Sequence, residues 1–202
     1  MDTTTAVLAV LLGLGLSAST GLNTFIPLLI LSGAARFNLW GVELGQKFDW
    51  LTSDTGLTVL IVAAIAEIVA DKIPAVDHFL DSVGTFIRPA AATIASAAVL
   101  TGVNVDPTVA AIVGFVVGTP TSLAFHTLKA GTRVASTATT FGCANPVLSF
   151  VEDVFSALFS ILAIFLPLLV PFALALAIWL LWRTWKRTRG SAAPAGFVPP
   201  TR

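Results

Sequence analysis

Charge is scarce in this sequence. Of its 202 residues only 11% are Asp, Glu, Lys or Arg, against roughly 25% in soluble domains. Hydrophobic residues make up 56% and the mean hydropathy is +0.92. So few ionised side chains exclude a soluble globular domain, a disordered chain and a nucleic-acid partner. Cys143 is the single cysteine and there are two histidines, which excludes an intramolecular disulfide, a thiolate metal centre and a His-rich one. There is no Gly-x-Ser-x-Gly elbow, no His-Glu-x-x-His helix and no phosphate-cradling glycine loop, so hydrolase chemistry has no foothold. No cofactor is expected.

What charge there is lies unevenly. Arg183, Lys186, Arg187, Arg189 and Arg202 fall at the end without an acid among them. Before them, six basic residues face eleven acidic ones. A basic cluster following an apolar run, led by Trp179, Trp182 and Trp185, reads as a cytoplasmic end preceded by an interfacial aromatic belt. The opening Met-Asp-Thr-Thr-Thr lacks a basic leader region, so the first apolar run is expected to stay in the membrane.

Apolar runs near 5–35, 57–73, 89–103, 107–138, 147–165 and 168–183 predict an all-α, multi-pass transmembrane helix bundle of about six segments. Residues 75–88 read as an amphipathic helix, and Pro167 separates the last two runs. Asn145-Pro146 reads as a helix start, with Asn as the cap. Two runs carry small polar residues at a density that predicts interruption, near Ser17 to Gly21 and near Pro120 to Ala124. A shift of 103 aligns Gly15 with Gly118, Ser19 with Ser122, Asn23 with His126 and Thr24 with Thr127. A shift of 78 aligns Pro89 with Pro167. These matches predict an inverted repeat, with a first repeat over 1–104, a second over 105–189 and a disordered tail over 190–202.

The stretch from Gly13 to Phe37, the run from Ala66 to Asp77 through Asp71-Lys72-Ile73-Pro74, Asp81, Arg88-Pro89, Asn145-Pro146 and Glu152-Asp153 together carry a family likeness. Up to about Trp182 the chain resembles the uncharacterised integral membrane family catalogued as domain-of-unknown-function four-one-two-six. The resemblance implies a small multi-pass membrane protein. It implies no reaction and no ligand.

The candidate functional residues come from the sequence pattern. Glu67 lies in an otherwise apolar stretch, where a carboxylate is costly unless it faces a cavity or a counter-charge. Asp71 follows four residues later on the same helical face, and Asp77 and Asp81 repeat that spacing. With Arg88 nearby, these acids predict an ion or solute site. Glu152 and Asp153 interrupt the most apolar region, and Lys129, Arg133 and Lys72 are the available partners. Asn23 and His126 sit at matched depth in the two expected breaks. The function expected is a small transporter or channel for an ion or small solute, working in a bacterial inner-membrane type of bilayer as a homo-oligomer. The alternatives are a lipid-modifying enzyme holding a divalent cation on Asp71, Asp77 and Asp81, and a structural subunit of a membrane complex.

Overall fold

The computed structural model describes residues 2–190 and, among them, contains helices and turns with no strand. Side chains at Pro74, Ala75, Asp77, His78 and several positions beyond Trp179 lie outside that description, as does the tail over 191–202. The elements are α1 (Thr3–Leu22), α2 (Phe25–Arg36), the single turn α3 (Asp49–Thr52), α4 (Asp54–Ala70), α5 (Pro74–Gly102), α6 (Pro107–Val113), α7 (Thr119–Thr140), α8 (Asn145–Phe165) and α9 (Val170–Gly190). Among the described residues four stretches can cross a membrane by length and apolarity: α1, most of α5, residues 107–140 and α8. A fifth is the bent pair Gln46–Thr52 with Asp54–Ala70, at 61°, and α2 and Pro167–Trp179 are shorter apolar helices. The protein is an all-α, multi-pass bundle with interrupted helices.

Interruptions fall elsewhere than the small polar runs predict. Ser17, Ser19 and Thr20 stay helical because their hydroxyls donate to the Gly13, Gly15 and Ser17 carbonyls, at 2.7, 3.0 and 2.8 Å. The helix breaks after them, at Asn23 and Thr24. In the second run Pro120 does not break the chain's helix, which runs on through it into α7. The irregularity there is the π-helical stretch Gly114–Gly118, which joins α6 to α7 without a gap. Pro89 sits inside α5, so residues 75–88 and 89–103 form one helix. Ala144, not Asn145, occupies the cap position of α8, and the Asn145 side chain donates instead to Thr137 Oγ1 at 3.1 Å.

α1 runs through the middle of the first compact unit, residues 1–170. It packs antiparallel to α8: Asn23 bonds Asp153, Ser156 donates to the Ser19 carbonyl, and a Cβ on Gly15 would meet Ala163. Gly21 brings α1 and α7 together, since a Cβ there would run into the Ser122 carbonyl. α2 then turns back. Its end and the following turn reach the level where α1 began, with Trp40 edge-on to Phe165 at 4.3 Å beside Thr5 and Leu8. The first unit therefore has a near end, holding residues 71–73 and 141–144. Its far end holds the start of α1 and residues 37–48, 103–106 and 166–169. At the far end Gly45 N–H donates to the Ala98 carbonyl at 3.2 Å. In the second unit, cation–π pairs join Arg183 to Trp179 at 5.1 Å and Lys186 to Trp182 at 5.2 Å.

Candidate functional site

A helix that stops inside a protein leaves carbonyls at its C-terminus and N–H groups at the next N-terminus without partners. At the break between α1 and α2, side chains supply both kinds. Arg88 Nη1 donates to the Gly21 carbonyl at 2.7 Å, and Lys129 Nζ to the Leu22 carbonyl at 3.0 Å. Across the gap, Glu67 accepts from the Thr24 and Phe25 N–H groups and from the Thr24 hydroxyl, at 2.9 to 3.2 Å. The Asn23 carboxamide oxygen accepts from Phe25 and Ile26 N–H at 3.1 and 3.0 Å and so caps α2. Cations sit at the negative end of one helix dipole and an anion at the positive end of the other.

These groups are part of a larger buried layer. Glu67 pairs with Arg88 at 3.5 Å. Asp71 accepts from Lys129 at 2.6 Å and from Arg133 at 3.4 Å. Glu152 accepts from Arg133 at 2.8 Å and lies 3.6 Å from Lys129. Asp153 accepts from the Asn23 amide at 2.9 Å through one oxygen, and its other oxygen faces Lys72 at 3.6 Å. Four carboxylates thus stand among four cations. Lys129 and Arg88 are essentially sealed, whereas Lys72 is 36% exposed and marks where the layer reaches the surface. Exposed apolar side chains flank the layer along α8, with Val147 and Phe150 on one side and Leu158 and Ile161 on the other. The charges lie within an apolar belt.

The sequence-predicted residues divide here. Glu67, Asp71, Asn23, Arg88, Glu152 and Asp153 come together. His126 belongs to a neighbouring group on the α5–α7 face, where its Nε2 lies 3.2 Å from the Thr85 hydroxyl and Thr85 also donates to the Asp81 carbonyl. Asp81 shares that group rather than joining Glu67. Asp77 is in the first turn of α5, and its side chain lies outside the described residues. Sequence reasoning treated Lys129, Arg133 and Lys72 only as partners and missed Thr24. The signal was present: Ser122, His126, Lys129, Arg133 and Ser136 recur at helical spacing on the buried face of α7. Among the described residues no group of three His, Cys, Asp or Glu side chains is placed to hold a metal ion. A crevice of about 320 Å³ between α4 and α5 reaches Glu67 and Thr24 past apolar walls that include Ala63, Ala66, Leu80 and Val83.

The chain belongs to the family described as a domain of unknown function, DUF4126, whose model matches residues 10–187. No curated protein and no solved structure matches it.

Proposed function

We propose that this family member is a small membrane transporter or channel whose moving charge, a proton, passes through the buried layer at the α1–α2 break. The observation that carries the reading is the balance of that layer: every carboxylate in it already faces a cation. A metal ion would have to displace those cations and find its own oxygen shell. A proton needs no room, and its arrival on one carboxylate releases a cation to a neighbour. Ionisable groups inside a membrane bundle commonly serve as such relays.

Asp153 is the point of entry in this reading. One of its oxygens is buried without a hydrogen-bond partner, and its one facing cation, Lys72, is the most exposed of the four. Beside Asp153 in the chain, Glu152 shares Lys129 with Asp71, and Arg133 bridges the same two acids. Glu67 holds the break in shape. The reading further places the basic end of α9 in the cytoplasm and has the protein work as a homo-oligomer, because so short a chain makes a thin wall.

The test is proton entry into liposomes containing the full chain and a pH-sensitive dye, driven by a potassium diffusion potential. Wild type should exceed protein-free liposomes. Asp153→Asn and Glu152→Gln should each lower that entry at least tenfold while melting within a few degrees of wild type. Entry no faster than in protein-free liposomes, or undiminished in both variants, overturns the reading.

A further inference from the structure

Resting on the reading of the charged layer as the working site, we infer that water reaches this layer from the near end only, along a polar path between α7 and α8. The path follows the buried face of α8. Asn145, Ser149, Asp153, Ser156 and Ser160 all lie on that face and are all buried. Asp153 divides the stripe into two halves of different character.

On the far side of Asp153 the polar groups of this stripe, and the α1 and α5 hydroxyls beside it, are closed on the protein. Ser156 donates to the Ser19 carbonyl at 3.1 Å and Ser160 to the Ser156 carbonyl at 2.8 Å. Facing them, Ser17, Ser19 and Thr20 donate to carbonyls of α1, and Ser96 donates to the Gly13 carbonyl at 3.1 Å. Toward the near end the pattern reverses. Asp71 Oδ1, Asp153 Oδ2, Ser149 Oγ and Asn145 Oδ1 are buried polar atoms without a hydrogen-bond partner in the protein. An unpaired buried polar atom is costly, so three in succession along the face of α8, with Asp71 across from them, call for an external partner. Water is the ligand whose size and two-way hydrogen bonding suit such a row.

A second, independent observation agrees. Lys72, which faces Asp153, is the part-exposed cation of the layer and lies in the turn between α4 and α5, at the near end. The Asn145 end of the path opens beside Thr137 and Thr140 at the close of α7. Half of a conduction route is thus wet and half is sealed by hydroxyls bonded to helix carbonyls. Exchange of a proton with the far side then needs the Ser17–Ser19–Ser156 packing to part.

Thiol accessibility tests this without reference to flux. In a Cys143→Ser background, single replacements Asn145→Cys, Ser149→Cys, Ser156→Cys and Ser160→Cys are treated in opened membranes with a small charged methanethiosulfonate, so that the reagent meets both ends. Asn145→Cys and Ser149→Cys should react at least tenfold faster than Ser156→Cys and Ser160→Cys, and all four should react alike in denaturing detergent. Equal rates at positions 149 and 156 overturn the inference, as does a Ser149→Cys rate as low as that of Ser160→Cys. If Ser149→Cys does not fold, as judged by its melting curve, Ser136→Cys on the facing side of α7 gives the same reading. Failure of this pattern with proton entry intact removes the one-sided path alone. The expected pattern without proton entry removes the transport reading alone.

Discussion

Asn23–Thr24 and His126–Thr127 correspond in the sequence alignment of the two halves, yet only the first breaks its helix. At Asn23 the backbone turns extended, with φ −139° and ψ 133°, and α2 folds back from there. At His126 the chain runs on through α7, and the Thr127 hydroxyl returns to the Leu123 carbonyl at 2.7 Å. Both segments are crowded with small polar residues, so crowding is not what opens a helix. The difference is the supply of partners. Around Asn23 stand Glu67 for the freed N–H groups and Arg88 and Lys129 for the freed carbonyls. Around His126 stands the Thr85 hydroxyl, which meets a ring nitrogen and the Asp81 carbonyl of its own helix and offers nothing to the backbone of α7. A buried break persists only where charged side chains replace the hydrogen bonds it gives up.

That comparison is broken most directly at Glu67. Glu67→Ala leaves Arg88 without its counter-charge and strips the Thr24 and Phe25 N–H groups, so unfolding in detergent should show a loss of about 3–5 kcal/mol. A loss below about 1 kcal/mol would mean that the break holds itself. Next in size is the coupling between Glu67 and Arg88. A thermodynamic cycle with Glu67→Gln and Arg88→Met should give an interaction of about 1–3 kcal/mol, the double variant losing less than the sum of the singles. Strict additivity would separate the two residues. Asn23→Ala removes a cap and the Asp153 bond and should cost about 1–2 kcal/mol in the same assay. Thr127→Ala, at the matched position, should stay within about 0.5 kcal/mol of wild type. If Asn23→Ala and Thr127→Ala shift the melting curve equally, the two positions do not differ as described.

Much of this layer was legible in the sequence because carboxylates in apolar surroundings are rare and stand out. Glu67 drew notice on that ground alone, and Glu152 and Asp153 pointed to Lys129, Arg133 and Lys72, which the structure supplies. The partner of Glu67 was less legible. Sequence proximity favours Lys72, whereas the fold brings Arg88 and the N-terminus of α2. A helix terminus is an electrostatic partner with no residue letter of its own. The position of the break was hidden for a related reason. Glycines and hydroxyls from Gly13 to Gly21 resemble a breaking sequence, but in a bundle they permit close helix contact and bond back to carbonyls. Asp81 repeats the spacing of Glu67 and Asp71 in the sequence, but it sits on another helix beyond Pro74, where it shares a face with Thr85 near His126.

The two sides of the layer differ as much as the two matched segments do. On the far side of the layer α1 packs closely on α5 and on α8 through alanines, glycines and bonded serines such as Gly13, Gly15, Ala163 and Ser160. Toward the near end, buried oxygens at Asp71, Ser149 and Asp153 are unmatched. Satisfied hydrogen bonds on one side and unmet ones on the other are what the proposed proton site with one open face requires.

The most direct measurement of that claim is infrared difference spectroscopy of the full chain in lipid, stepped from neutral to acidic pH. The account predicts a carbonyl stretch from a newly protonated buried carboxylic acid, present in wild type and in Thr127→Ala and lost in Asp153→Asn. A spectrum without such a band, or a band unchanged in Asp153→Asn, would contradict it.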